Sequence, residues 1–313
     1  MKISAIIPAY NSQDFILDAI KSIQNQTHPI DEIIVIDDGS TDNTQQLIQS
    51  QTKNIIYLKQ DNQGPSAARN AGIKLAKGDW IAFLDADDQW TSDRIEKQLD
   101  ALSLSPELHL LAGDMQEIDL DNKVITQSVL AKHSLLEPFQ INQSRPIHNA
   151  LAQLVTKNFI PTGTVLVKRS TVLEAGLFNI NIRFGEDLEL WAKIAAKHPI
   201  TCLPEILMLR RLHQQNATNA TAAMLEDLVN VMQSISLYAN DSLSKQNINS
   251  YKLMADTWNN LAYWHFVNHD YQQAKLAFWN ALNNKINKRS IIYLTACLLP
   301  KGLINSIRKL KGS

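Results

Sequence analysis

A strand that ends abruptly in three carboxylates constrains this chain more than any other feature. The stretch from Ile81 to Asp88 reads IAFLDADD, an apolar run of strand length followed at once by acids. In an open α/β sheet, ligands collect outside the carboxyl ends of the strands. Asp85 and Asp87 lie two residues apart, so they point the same way in extended chain. Two such carboxylates can hold a divalent cation and, through it, a phosphate.

Other interpretations of this stretch compete with a cation site. It can be an ordinary acidic turn between a strand and a helix. It can also cap the following helix, with Asp88 or Ser92 at the first position. Its acids and Glu96 match three positions of a calcium-binding EF-hand loop, but Trp90 stands where that loop requires glycine. Capping is compatible with cation binding, whereas the EF-hand is not supported.

The first ninety residues alternate apolar strands with amphipathic helices, which is the pattern of a parallel sheet. The predicted strands are 3–8, 33–36, 55–58 and 80–84. Right-handed crossovers would place their carboxyl ends side by side on one edge. The polar residues expected at that edge are Tyr10 with Asn11, Asp37 with Asp38, and Asp85 with Asp87.

The helix before the acidic strand begins with a turn at Gly64 and Pro65. Free amides at such a helix start suit an anion, and Arg69, one turn later, can reach a phosphate with its fork of donors. A solvated surface arginine fits the same pattern. No GxGxxG or GxxxxGK[ST] motif follows these strands, which argues against a dinucleotide site or a P-loop.

The middle of the chain gives weaker signals. We expect a strand over 108–115, a hairpin over 118–125, a strand ending at Val167 and a last strand over 203–212. A further helix opens with Gly185, Glu186 and Asp187. The helix dipole favours acids at that end, so from these residues alone a helix-start role explains the pair better than catalysis does.

From residue 216 the sequence is helical in period. Six positions fit a tetratricopeptide-type helix pair: Trp258, Leu261, Ala262, Ala274, Phe278 and Ala281. Stable arrays need about three such repeats, so one pair predicts a helical appendage to the first domain and not a peptide-binding solenoid.

The C-terminal end is basic and amphipathic. From residue 275 onward there are eight basic residues and no acidic one: Lys275, Lys285, Lys288, Arg289, Lys301, Arg308, Lys309 and Lys311. Apolar residues such as Leu303, Ile304 and Ile307 lie between them. Such an end can lie on an anionic membrane surface or pack on its own domain.

Composition narrows the class further. A chain of 313 residues with 45% hydrophobic and 19% charged residues is typical of one large or two ordinary globular domains. The net charge of −1 gives no general attraction to nucleic acid. Cys202 and Cys297 are too few for a disulfide framework or zinc site. Without a signal sequence or a long apolar run, we expect a cytoplasmic protein, with peripheral contact at the inner face of a membrane as the alternative location.

Taken together, these motifs resemble those of the family 2 glycosyltransferases, which have the GT-A fold. The matching segments occur in the family's order: IIPAYN over 6–11, VIDDGSTD over 35–42, GPSAARNAG over 64–72, FLDADD over 83–88 and FGEDLELW over 184–191. The resemblance covers about 1–215 and implies a Rossmann-like, mostly parallel central sheet. Residues 216–313 then form an all-helical extension that departs from the minimal family pattern.

The resemblance also implies roles for individual residues. The donor-binding residues would be Pro8, Tyr10, Asn11, Asp37, Asp38, Arg69, Asp85 and Asp87. Asp87, with Asp85 and His213, would hold Mn²⁺ or Mg²⁺. Asp187 would be the general base that deprotonates the acceptor, with Glu186 as the alternative base. The alternative for His213 is an ordinary surface histidine.

The function implied is a metal-dependent, inverting transfer of a sugar from a nucleotide sugar, with a UDP-sugar favoured, to a hydroxyl of a glycan or lipid-linked acceptor. Two rivals remain. A nucleotidyltransferase would also use an acid pair and a metal, but it would need a glycine-rich loop with lysine near the first strand. A non-catalytic protein would bind the nucleotide sugar and recruit a partner through the helical extension.

Overall fold

The computed structural model describes residues 1–51, 55–213 and 221–299. The chain divides into two compact units, Met1–Ala217 and Thr218–Ser313. The first contains the sheet, and the second is built from helices over the part that is described.

The first unit begins with four parallel strands. They are β1 (Ile3–Ala9), β2 (Glu32–Asp37), β3 (Ile55–Lys59) and β4 (Trp80–Phe83). Their order across the sheet is β3-β2-β1-β4, with all three pairings parallel. The crossovers between them carry α1 (Ile16–Gln24), α2 (Thr44–Gln49) and α3 (Pro65–Leu75). The carboxyl ends of β1, β2 and β4 therefore meet at one edge, as the alternating pattern predicts.

Helix α3 packs unusually close to the sheet. Gly72 makes this approach possible, because a Cβ there would lie 2.5 Å from Cγ2 of Ile6 on β1. Pro65 stands in the first turn of the helix, and Gly64 before it has a φ of +87°. A backbone conformation with positive φ favours glycine. These residues fix where α3 begins and bring Arg69 toward the strand ends.

The second half of this unit adds shorter elements. The strands are β5 (Gln89–Trp90), β6 (Leu110–Ile118), β7 (Val124–Thr126), β8 (Leu166–Lys168) and β9 (Ile200–Arg211). The helices are α4 (Arg94–Leu104), α5 (Val129–Lys132), α6 (Leu136–Asn142), α7 (Ala150–Thr156), α8 (Arg169–Ala175) and α9 (Glu186–Ala195). A 3₁₀ turn, Thr162–Thr164, precedes β8.

These strands extend the sheet in the order β4-β8-β6-β9-β5, with β7 paired to β6. Strand β8 is antiparallel to both of its neighbours, and β9 is parallel to β6 and antiparallel to β5. The predicted fold class is confirmed, but parallel pairing is continuous only through the first four strands. The β6–β7 hairpin was expected, whereas β5 and helices α5 to α7 were not.

The second unit contains α10 (Ala222–Lys245), α11 (Ser250–Val267), α12 (Tyr271–Asn284) and α13 (Lys288–Cys297). Each begins with a side chain that accepts a hydrogen bond from a backbone amide of the first turn. The capping residues are Thr221, Asn249, Asp270 and Asn287. Of the six tetratricopeptide-type positions on α11 and α12, five are buried and Trp258 is half-buried.

The outer part of the basic end, from Lys301 through Lys311, lies outside the described residues. Among the helices that the structure does describe, none is long and apolar enough to span a membrane.

Candidate active site

A cleft of about 810 Å³ opens at the carboxyl ends of β1, β2 and β4. Its lining comes from the loops after these strands, the start of α3, the segment before α9 and the residues after β9. Eight predicted site residues line it: Pro8, Tyr10, Asn11, Asp38, Arg69, Asp85, Asp87 and His213. The sheet edge therefore gathers residues from across more than two hundred positions of sequence.

The loop after β1 is held by the loop after β2. The backbone amide of Asn11 donates to Oγ of Ser40 at 3.0 Å, and Oδ1 of Asn11 accepts from the amide of Thr41 at 2.9 Å. Tyr10 is left 51% exposed beside the cleft. Its ring is thus available to stack on a flat ligand such as a nucleotide base.

Asp37 and Asp38 separate into different roles. Asp38 lines the cleft and accepts hydrogen bonds from the amides of Gln63 (3.0 Å) and Gly64 (2.7 Å). Asp37 is fully buried and does not line it. Its carboxylate accepts from the amide of Ser40 and from Oη of Tyr57, both within 2.8 Å. The structure therefore places Asp38 in the lining of the cleft and Asp37 behind it, where its carboxylate stabilises the loop after β2.

Asp85 and Asp87 both face the cleft, as their spacing predicts. Nε2 of His213 lies 2.9 Å from Oδ2 of Asp87, and the imidazole stacks on Phe15 with ring centroids 5.3 Å apart. The third acid has another task. Asp88 is buried, and its Oδ1 accepts from the backbone amide of Arg211 at 2.9 Å.

Asp88 thus ties the end of β9 to the acidic loop, which brings His213 to Asp87. Burial and the neighbouring carboxylates of Asp87 and Asp85 raise the pKa of Asp88 well above its ordinary value. Helix α4 begins only at Arg94, with Asp93 at the capping position. The suggestion that Asp88 or Ser92 caps this helix was therefore wrong.

Arg69 lies beneath the cleft as a bridge between two carboxylates. Its guanidinium donates to Asp85 Oδ1 at 2.7 Å and to Glu186 Oε1 at 3.2 Å, and it lies over the ring of Phe178. Burial lowers its pKa, but the charges of Asp85 and Glu186 outweigh that effect and raise it. The arginine is therefore not the solvated surface residue considered above. Two of its donor groups already hold carboxylates, which weakens its assignment to the donor's diphosphate.

Glu186 and Asp187 form the first turn of α9. Burial and the charge of Asp187 raise the pKa of Glu186 to about 7, although Arg69 opposes the shift. Burial also raises the pKa of Asp187. Asp187 accepts from the adjacent amide of Leu188 at 2.6 Å and from Asn158 Nδ2 at 3.4 Å. A carboxylate with a raised pKa is a better proton acceptor near neutral pH.

The oxygen and nitrogen groups around Asp87 can be compared with what a divalent cation requires. No cluster of three or more histidine, cysteine or acidic side chains within 1–51, 55–213 and 221–299 is preformed for a metal ion. Mg²⁺, however, usually takes only one or two protein carboxylates and completes its shell with water and phosphate oxygens. Asp87 can supply one oxygen, with Asp85 and His213 beside it. The residues present therefore fit a cation that arrives with a phosphate-bearing ligand.

Sequence reasoning missed several residues of the cleft. Arg183, Ile180 and Ile182 come from the segment before α9, and Asn62 and Gln63 come from the loop before α3. The position of Arg183, three residues before Glu186, was the only available signal. Nothing in the sequence pattern distinguishes the two isoleucines from core residues.

Comparison with known proteins agrees with this geometry. The family model described as glycosyl transferase family 2 matches residues 4–150. An uncharacterized glycosyltransferase of Rickettsia prowazekii is 30% identical over 227 residues, which cover 72% of this chain and 68% of the relative. Another, from Rickettsia conorii, is 33% identical over 312 residues, which cover 97% of this chain and 47% of the relative. The chain belongs to glycosyltransferase family 2.

Solved structures show the same architecture. S. aureus TarS 1-349 in complex with UDP-GlcNAc superposes with a TM-score of 0.66 at 18% identity, covering 95% of this chain and 84% of that one. At this identity the likeness establishes the fold. Several relatives are longer proteins, since this chain spans about half the length of the R. conorii glycosyltransferase and of one from R. felis.

Proposed function

We propose that this chain transfers a sugar from a nucleotide sugar to a hydroxyl group of a glycan or lipid-linked acceptor, with the help of a divalent cation. One observation carries the proposal. The cleft joins Tyr10, Asp38 and the pair Asp85 and Asp87 at one sheet edge. Glu186 and Asp187 are not among its lining residues, but Arg69 links Asp85 in the cleft to Glu186 at the start of α9. Family membership supports the reaction class, and the UDP-GlcNAc complex of TarS supports a UDP-sugar as donor.

The donor's base would lie against Tyr10, next to the loop that Asp38 holds in place. Its diphosphate would lie toward Asp87 and His213. A bound Mn²⁺ or Mg²⁺ would neutralise the negative charge of the departing nucleotide diphosphate. Arg183, which also lines the cleft, adds a positive charge that Arg69 does not supply freely. A guanidinium is well suited to phosphate oxygens.

Asp187 would remove the proton from the acceptor hydroxyl, with Glu186 as the alternative base. Attack from the face opposite the leaving diphosphate would invert the configuration at the anomeric carbon. General-base catalysis of this kind typically contributes about 10²–10⁴-fold. The lipid-linked class of acceptor is proposed from the basic run that ends the sequence, which suits an anionic membrane surface.

Thermal stabilisation by ligands tests donor binding. We would measure the melting temperature with UDP-, GDP- and TDP-sugars, with Mn²⁺ and with chelator, because a ligand that binds the folded state raises its stability. We expect a UDP-sugar to stabilise the protein with Mn²⁺ and to lose most of its effect with chelator or in Asp87→Ala. Asp100→Ala, an exposed site on α4, is the matched control. No stabilisation by any nucleotide sugar with metal present would refute the donor site.

A nucleotidyltransferase is distinguished by its product. It would release pyrophosphate from a nucleoside triphosphate, whereas the proposed reaction releases a nucleoside diphosphate from a nucleotide sugar.

A further inference from the structure

The helical unit has a cavity of its own. A groove of about 530 Å³ is formed by side chains of α10, α11 and α12, all within the second unit. Its volume lies within the range of roughly 300–1,000 Å³ that is usual for small-molecule sites. None of the described side chains that line it is charged. Such a lining gives no attraction to nucleotides, phosphates or other ionic ligands.

One wall of the groove is built from amides. Helix α12 contributes Asn280, Asn283 and Asn284, which are spaced three and four residues apart so that they share one face. Asn283 is exposed, and Nδ2 of Asn284 donates to the backbone oxygen of Asn280. A carboxamide presents a donor and an acceptor side by side. That arrangement matches two neighbouring hydroxyl groups on a ligand.

Helix α10 contributes a further part of the lining, which contains an unsatisfied hydroxyl. Oγ of Ser236 is buried and has no hydrogen-bond partner, although it belongs to the groove. Asn240 lies one turn later, and its Oδ1 accepts from Ser250 at 2.8 Å. The helix is broken between them at Ala239, where φ is −123° and ψ is 22°. A buried hydroxyl without a partner costs free energy unless a ligand or water completes it.

Two aromatic rings complete the lining. Tyr251, at the start of α11, is 67% exposed, and Trp258, two turns later, is half-buried. Leu237 on α10 is 80% exposed at the same groove. Aromatic faces attract the slightly positive C–H groups of a sugar ring, as they attract other positive edges. Rings beside uncharged amides and hydroxyls therefore match a ligand with an apolar face and a rim of hydroxyls.

We propose that this groove binds a short, uncharged oligosaccharide. A peptide would be held either by apolar anchors in deep pockets or by the edge of a sheet, and this groove offers amides beside one exposed and one half-buried ring instead. The site is separate from the cleft, since the two share no lining residue. The proposal does not depend on transferase activity.

The test is a titration of the full chain with N,N′,N″-triacetylchitotriose, cellotriose and maltotriose, in which saturation-transfer difference NMR measures binding. We expect at least one trisaccharide to bind. Tyr251→Ala should weaken binding about tenfold, which is the effect of losing one aromatic contact. Asn283→Ala should weaken it severalfold. Both side chains are exposed, so both variants should fold, which the melting temperature checks.

The matched controls are Trp279→Ala and Gln272→Ala, which change exposed residues of α12 outside the groove lining and should bind as the unaltered chain does. Three results would overturn the proposal. The first is that no trisaccharide binds, and the second is that both groove variants keep the affinity of the unaltered chain. The third is that the control variants lose as much affinity as the groove variants do. Unchanged affinity would place the sugar elsewhere, for example in the cleft.

Discussion

At the residue level, Arg69 is the connection on which the site depends. It is a buried cation that holds Asp85 at the end of the acidic strand and Glu186 at the start of α9. Arg69 is buried and Glu186 nearly so, whereas the side chain of Asp85 is 38% exposed, so removing Arg69 would leave the charge of Glu186 without its buried partner, which is costly. The protonation state of Glu186 should therefore be visible in the stability of the protein.

The pKa of Glu186 makes this a prediction about pH. Its folded-state pKa is about 7, raised mainly by burial and by Asp187, so the folded protein keeps a proton that the unfolded chain releases above its ordinary pKa. The stability that this proton contributes is fully present below the unfolded-state pKa of Glu186 and is lost as the pH rises through about 7. Urea denaturation at pH 5, 6, 7 and 8 measures the free energy of unfolding. Between pH 5 and pH 8 this free energy should fall less in Glu186→Gln than in the unaltered chain, by on the order of 2 kcal/mol.

The fall should not vanish, because the pKa values of Asp88 and Asp187 are raised as well. Glu107→Gln, at an exposed position, should keep the original slope. An unchanged slope in Glu186→Gln would show that the pKa of Glu186 is not raised.

At the level of elements, a second buried arginine fixes the acidic strand. Arg94 on α4 donates to the carbonyl oxygens of Phe83, Gly163 and Val165, at 3.3, 2.6 and 2.8 Å. Its guanidinium lies 3.9 Å from the ring centroid of Trp90. Phe83 ends β4 two residues before Asp85, so this helix holds the strand that presents the acids.

Arg94→Met should therefore be strongly destabilising. It removes three buried hydrogen bonds, each worth about 0.5–1.5 kcal/mol. The oxygen of Phe83 keeps the indole of Trp90 and that of Val165 keeps the amide of Phe83, whereas the oxygen of Gly163 loses its donor, which costs about 1–3 kcal/mol. We expect a loss of about 3 kcal/mol or more by urea denaturation. Lys97→Met, on the exposed side of the same helix, should change stability by only about 0.5 kcal/mol. Similar effects of the two substitutions would contradict the structural role of Arg94.

The same elements show what the sequence could predict. Tyr10, Asp38 and the pair Asp85 and Asp87 were predicted to meet because parallel strands joined by right-handed crossovers align their carboxyl ends. Which of Asp37 and Asp38 lines the cleft was not predictable. The two are adjacent in sequence and identical in type, and the partners of each depend on the folded structure.

The pairing of strands that are distant in sequence could not be predicted from the local hydrophobic pattern either. Strand β8 lies between β4 and β6, and two-residue β5 pairs with β9, more than a hundred residues away. Periodicity reports which face of an element is buried and says nothing of its neighbour. The burial of Arg69 and Arg94 was not predictable either. Each lies in a helix, and its burial depends on carboxylates or carbonyl groups that remote segments bring to it.

At the level of the whole molecule, the described residues of the cleft all belong to Met1–Ala217. We therefore expect a fragment of residues 1–217 to fold and to keep the melting-temperature rise that a nucleotide sugar and Mn²⁺ give the full chain. The oligosaccharide groove should be lost with the helices. A folded fragment that no longer responds to the donor would show that the helical unit is needed for the donor site.

Nucleotide release by Asp187→Asn tests most directly whether Asp187 is the base of the proposed sugar transfer. We would measure UDP set free from the stabilising UDP-sugar, with and without candidate acceptors, in the unaltered chain and in the variant. We expect turnover in Asp187→Asn to fall about 10²–10⁴-fold, with the donor-induced rise in melting temperature retained. Turnover at the original rate in Asp187→Asn, with Glu186→Gln equally active, would contradict the assignment of the base and with it the proposed chemistry of the cleft.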